Sequence, residues 1–225
     1  MQDHGAKEFE RIKQKRKISH DSRYTKPVAR VAKRLKKVIP MPDADWEFVV
    51  FKDASPNAFA LPGGKVGINT GLFTIADNDA LLAAVLGHEI SHATADHAYQ
   101  RMTRAISQII WGAILYQVIE NNSTDHPEQV IAAYALGSYL FDSLPLSRRQ
   151  EYESDRIGTI YMAKAGYNPH YSIELWEKMS RYHEKYGNKK PDFLRTHPND
   201  KARIKALQAF MPVAMAHYKK FRVQE

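Results

Sequence analysis

His88, Glu89 and His92 are the residues whose types and spacing could do chemistry. Two histidines four apart on a helix differ by about 40° around its axis, so both imidazoles leave one face and can share a metal ion. Glu89 lies about 100° from His88, poorly placed to chelate with it but able to reach a water at that metal and take its proton. The three fixed letters of this pattern should arise by chance on the order of once in two hundred chains of this length. The other reading is an amphipathic helix that happens to carry two histidines. The flanking run Ala80-Leu81-Leu82-Ala83-Ala84-Val85-Leu86, with Asn78 or Asp79 as N-cap, is strong helix-forming sequence and favours a catalytic metal centre.

A catalytic zinc usually takes three protein ligands and keeps one position for water. A third histidine six residues after His92 is excluded, because positions 95 and 98 of that pattern are both alanine. A glutamate about 20 residues beyond is excluded too: residues 93–119 contain no Glu, and their only acid is Asp96. His97 points about 140° away from His92 and reads as a structural or surface residue. Further along, the helical stretch Ser147–Gly158 places Glu151 and Asp155 on one face, with Glu153 turned elsewhere. Glu151 can ligate a metal there, while Asp155 accepts a hydrogen bond from the far nitrogen of a ligand histidine. A charge-rich solvated helix is the competing reading of the same residues.

The set Asn57–Gly64, Gly71-Leu72, His88-Glu89-Ile90-Ser91-His92, Ser147-Arg148-x-x-Glu151-x-Glu153-Ser154-Asp155 and Thr196-His197-Pro198 resembles the gluzincin metallopeptidases. That family holds the HtpX-type membrane proteases, the CAAX prenyl proteases and the soluble BepA-like periplasmic proteases, and the chain looks most like the soluble branch. The resemblance covers roughly residues 25–210, with Ser154 standing where alanine is usual. It implies one zinc per chain, Glu151 as third ligand, and His197 either as an occluding fourth ligand or as a donor to the tetrahedral oxyanion. Arg203 would assist His197 or pair with acids of the core. It also implies a bacterial periplasm or envelope, with misfolded or misassembled proteins as substrates.

The elements that must position these groups are mostly helical. Trp46–Phe51 and Lys65–Thr70 read as strands, with a turn at Pro62-Gly63-Gly64. Residues 65–70 could form a sheet edge that pairs with a substrate backbone, or an ordinary core strand. The metal helix is expected to run to about Thr103. Ala105–Ile119 and Val130–Phe141 form an apolar helical pair, each too short to span a bilayer and expected to pack in the core; a lid or a surface for membranes or partners is the alternative. A helix over 170–186 follows, then a last one capped by Asn199 or Asp200, running through Ala209 and interrupted near Pro212. The expected fold is α+β: a single peptidase domain over 1–225, mainly helical, with a small β-sheet beside the metal helix.

The 225 residues include no cysteine, which removes disulfides, thiolate metal sites and cysteine nucleophiles. The N-terminus lacks the apolar core of a signal peptide. Residues 1–40 hold 13 Lys and Arg against 4 Asp and Glu, while the other 185 hold 20 against 21. The basic character therefore belongs to one helical segment, broken near Ser19–Asp21 and at Pro27, with Val28, Val31, Leu35 and Val38 on its packing stripe. It has none of the aromatic interleaving that base stacking needs, which counts against nucleic acid; peripheral contact with a membrane or envelope proteins is the other use of such charge. The residues thus predict a zinc endopeptidase acting on protein or peptide substrates, with Glu89 as general base and acid. The alternative is a chaperone-like binding factor with an occluded, weakly active zinc site.

Overall fold

The computed structural model describes residues 2–121, 126–186, 197 and 201–222. Eight helices and three strands appear there: α1 Gln2–Lys15, α2 Ser22–Lys36, β1 Glu47–Phe51, β2 Ala58–Leu61, β3 Lys65–Asn69, α3 Asp79–Thr94, α4 His97–Asn121, α5 Pro127–Ser138, α6 Leu144–Lys164, α7 His170–Tyr186 and α8 Lys201–Arg222. The protein is α+β, mostly helical with one small sheet. Contacts divide the chain into two compact units, one of residues 1–95 and 152–225, the other of 96–151.

In the first unit the sheet order is β1-β3-β2, with β1 parallel and β2 antiparallel to β3. The turn between β2 and β3 needs two left-handed residues, Gly63 (φ 85°) and Gly64 (φ 86°), which glycine supplies without steric cost. β3 has a neighbour on each side, so it is a core strand and not the sheet edge that residues 65–70 could have formed. The outer strands are β1 and β2, and the four residues of β2 were too few to read as a strand from alternation. Phe9 of α1 packs edge-on to Phe51 and Phe59 of the sheet. Val28, Val31, Ala32 and Leu35 bury the stripe of α2. Pro27 lies within α2 without ending it, and Pro212 lies within α8, so neither break expected at these prolines forms. The cap expected at Asn199 or Asp200 lies outside the described residues.

α3 is the axis of this unit. Asn78 Oδ1 accepts from the Leu81 amide at 2.9 Å and fixes its start. Every residue from Leu81 to His92 is buried, as befits a helix that is apolar on all sides. It packs on α2, α7 and β2. The helix stops at Thr94, well short of Thr103, because Asp96 adopts a left-handed backbone (φ 53°) that no helix can carry through.

α3 crosses α6 backbone to backbone. A Cβ on Gly158 would stand 2.6 Å from the His88 nitrogen, and one on Gly87 would stand 2.7 Å from the Gly158 carbonyl oxygen. Backbone cannot yield as a flexible side chain can, so glycine is required on both sides. Beside this contact Ser91 Oγ donates to the carbonyls of His88 (2.6 Å) and Ser154 (3.1 Å).

The second unit is a helical hairpin. α4 runs 25 residues, and α5 continues through a π-helical turn at Tyr139–Ser143 into α6. Tyr134 OH donates to the Gln108 carbonyl (3.1 Å), and the Gln108 amide reaches Ser143 Oγ (3.0 Å). Core packing was expected of both apolar segments, yet α4 buries only His97 and Ile119 and α5 buries none of its residues. The continuous helix Pro127–Lys164 is also long and apolar enough to cross a membrane, by length and composition alone. The contrary expectation took residues 130–141 as a helix by themselves.

The close crossing yields a stability prediction. Gly158→Ala should cost about 1–3 kcal/mol by forcing α3 and α6 apart, seen as a melting temperature several degrees below wild type. An unchanged melting curve would contradict the close approach.

Candidate metal centre

α3 delivers three functional side chains within five residues. His88, Glu89 and His92 are all buried, at 3%, 3% and 8% exposure. Their imidazoles meet at an edge, with His92 Nε2 3.2 Å from His88 Nε2. His197 joins them from far along the chain, its Nδ1 3.2 Å from His88 Nε2 and its Nε2 3.3 Å from Glu89 Oε1. Glu151 sits on α6, one residue before Tyr152 and a helical turn before Asp155. It completes a buried group in which His88, His92, Glu151 and His197 each offer a ligand atom, all within 4.8 Å of one another.

The tautomer of His88 follows from its other side. Nδ1 lies 3.1 Å from Asp155 Oδ1, so the proton belongs there and the Nε2 lone pair points toward His92 and His197. Asp155 is itself held tightly. Arg203 grips it through two hydrogen bonds, Nε to Oδ2 at 2.8 Å and Nη2 to Oδ1 at 2.7 Å, and Trp176 Nε1 donates to Oδ1 at 3.2 Å. Burial alone would push the Asp155 carboxyl up, but His88 and Arg203 outweigh it and keep the group below the usual carboxylate range. The Arg203 guanidinium also lies 3.9 Å from the Trp176 ring centre, and Trp176 meets the His88 ring edge-on at 5.5 Å. The chain of contacts from α8 through α6 and α7 to α3 thus fixes one imidazole in one orientation.

The donor set fits a metal ion. Metal–nitrogen bonds of about 2.0–2.1 Å in a tetrahedron give an edge of about 3.3 Å between nitrogens, and the observed separations are 3.2 Å. Three imidazoles and one carboxylate suit a borderline divalent ion such as zinc better than calcium or magnesium, which take oxygen-rich shells.

The residues singled out from the sequence are therefore brought together, with Asp155 and Arg203 outside the ligand group. Glu153 is exposed and His97 is buried in the second unit, with no part in this group. Sequence reasoning missed Trp176, read only as an apolar position of its helix. Its indole proton on a buried carboxylate gives no signal in periodicity.

Residues 22–211 match the profile of Peptidase family M48. The chain is 38% identical over 189 residues to the mitochondrial metalloendopeptidase OMA1 of Schizosaccharomyces pombe, covering 83% of this chain and 53% of that protein. It is 36% identical over 182 residues to the same-named protein of Saccharomyces cerevisiae, covering 77% and 49%. With the beta-barrel assembly-enhancing protease of Escherichia coli it shares 27% over 161 residues, covering 71% and 33%. The chain thus spans about half the length, or less, of these relatives. The bacterial periplasm or envelope expected from resemblance is overturned: the relatives at 36–38% identity are named mitochondrial, as are matches from Arabidopsis thaliana and Bos taurus.

Asp155→Asn removes the charge that orients His88 and balances Arg203. Competition against a zinc-binding dye should show metal affinity lower by about 10–100-fold. Wild-type affinity in this variant would deny Asp155 its positioning role.

Proposed function

The chain belongs to peptidase family M48, and from that premise we propose that it is a zinc-dependent endopeptidase, its 225 residues acting as one peptidase domain that hydrolyses peptide bonds of protein substrates. One observation carries the reading: a buried carboxylate, Glu89, stands beside three imidazoles and a second carboxylate whose ligand atoms lie within 4.8 Å of one another. A zinc ion held by His88, His92 and Glu151 would supply an acidified water and a polarised scissile carbonyl.

The chain's own residues do the rest. Glu89 takes the proton of the attacking water and delivers it to the leaving amine, so that a single group serves as base and then as acid. Asp155 keeps the His88 proton on Nδ1, which leaves Nε2 as a ligand. Arg203 and Trp176 hold Asp155 in place and exclude water from it. Misfolded or misassembled proteins are the substrates that the family resemblance implies. The names of the relatives support a mitochondrial compartment.

His197 has two possible roles, and its position favours the occluding one. Its Nδ1 stands at ligand distance from the group while Nε2 faces Glu89, so it fills the space that a substrate carbonyl and its water must enter. Once displaced, the same imidazole could donate to the tetrahedral oxyanion. The geometry therefore also favours the second reading, a binding factor with a closed zinc site.

Glu89→Gln should keep about one zinc per chain and lose casein hydrolysis by about 100-fold or more. Full activity in that variant would remove Glu89 from the mechanism. Cleavage of an unfolded protein by wild type and His197→Ala separates the two readings. Occlusion predicts equal or faster cleavage in the variant, oxyanion donation predicts slower cleavage, and absence of cleavage in both with binding retained favours the binding factor.

A further inference from the structure

The hairpin of the second unit is apolar in a way that packing within this chain does not use. Residues 105–119 and 129–141 contain no charged side chain. Of their large apolar groups, Ile109 (71% exposed), Trp111 (60%) and Phe141 (83%) stand farthest out. On α4 the exposed groups Ile106, Ile109, Ile110, Trp111, Ile114 and Val118 spread over about 200° of the circumference at about 100° per residue, and the remaining side, with Gln108 and Gly112, is turned to Tyr134 of α5. A protein partner covers one stripe of a helix. An exposed apolar arc of more than half the circumference is wider than such a stripe and is matched by a medium that wraps the helix.

Charge and length point to the same medium. At about 1.5 Å per residue the two arms reach about 22 Å and 20 Å, slightly less than a hydrocarbon layer of about 27–30 Å. Arg101, Arg104, Arg148 and Arg149 cluster at one end of the arms, and Glu120 and Glu128 stand at the other. Long arginine side chains extend such an arm by reaching back to the phosphates. Several polar groups near the arginine end are paired within the hairpin: Tyr134 donates to the Gln108 carbonyl, the Gln108 amide reaches Asp142 and Ser143, and Arg104 pairs with Asp142. Tyr134 also seats against Gly112, the close packing that small residues give helices in lipid.

We propose that the α4–α5 hairpin is a lipid-docking element whose two uncharged arms lie in the acyl layer of an anionic bilayer, with the arginine end at the phosphates. Trp111, near the middle of its arm, is the reporter. Full-length protein would be mixed with vesicles of phosphatidylcholine and phosphatidylglycerol brominated at shallow or deep acyl positions, with Trp111→Phe correcting for Trp46 and Trp176. The proposal predicts flotation with the vesicles and strongest quenching of Trp111 by deep bromines. Ile109→Asp with Ile114→Asp, both at exposed positions, should reduce vesicle partitioning by about tenfold or more while zinc content stays that of wild type. Arg148→Gln with Arg149→Gln should weaken binding to anionic vesicles more than to phosphatidylcholine alone. Absence of flotation, quenching confined to shallow positions, or shielding of Trp111 in a lipid-free dimer would each overturn it.

Discussion

Where α3 crosses α6, two glycines let the backbones approach so closely that any side chain at Gly158 would strike the His88 nitrogen. That approach sets His88 against Asp155 across the crossing. A wider separation would leave a buried histidine without its carboxylate and a buried carboxylate without its histidine. Ser91 bonds to both backbones at the same point, which ties the register of one helix to the other. The geometry of the metal group is thus a consequence of how two backbones meet.

A second constraint is electrostatic. Asp155 carries its charge in a nearly dry place, where isolated burial would be costly. Arg203 and Trp176 donate to it, His88 Nδ1 stands 3.1 Å away, and the arginine is itself stacked on the indole. Removing one partner would leave another charge uncompensated, so this carboxylate ties α8 to the metal helix and adds to the direct packing of α7 on it. This explains why residues about a hundred positions apart, His88 and Arg203, belong to one arrangement.

Much of the centre was legible because His88, Glu89 and His92 sit at fixed offsets on one helix, where spacing determines direction. Spacing also put Glu151 and Asp155 on one helix face, but a solvated charged helix reads the same way, and the family resemblance was needed to single out Glu151 as third ligand. The end of α3 was hidden, because no glycine or proline at positions 95 and 96 marks the break, and the left-handed turn falls on Asp96, a residue type that seldom adopts it. Pro27 misled in the opposite sense: burial of Val28, Val31 and Leu35 outweighs the hydrogen bond a proline removes. Composition could not separate an apolar helix packed in a core from one left exposed, and only the exposure of Ile109, Trp111 and Phe141 distinguishes them.

The central claim is that His88, His92 and Glu151 hold one zinc ion with His197 able to join them. X-ray absorption at the zinc edge of the full-length protein tests it directly. The account predicts one tightly bound zinc in a shell of nitrogen and oxygen at about 2.0–2.1 Å, with three imidazoles in wild type and two in His197→Ala. Failure to retain zinc, or a shell with fewer than two imidazoles, would contradict it.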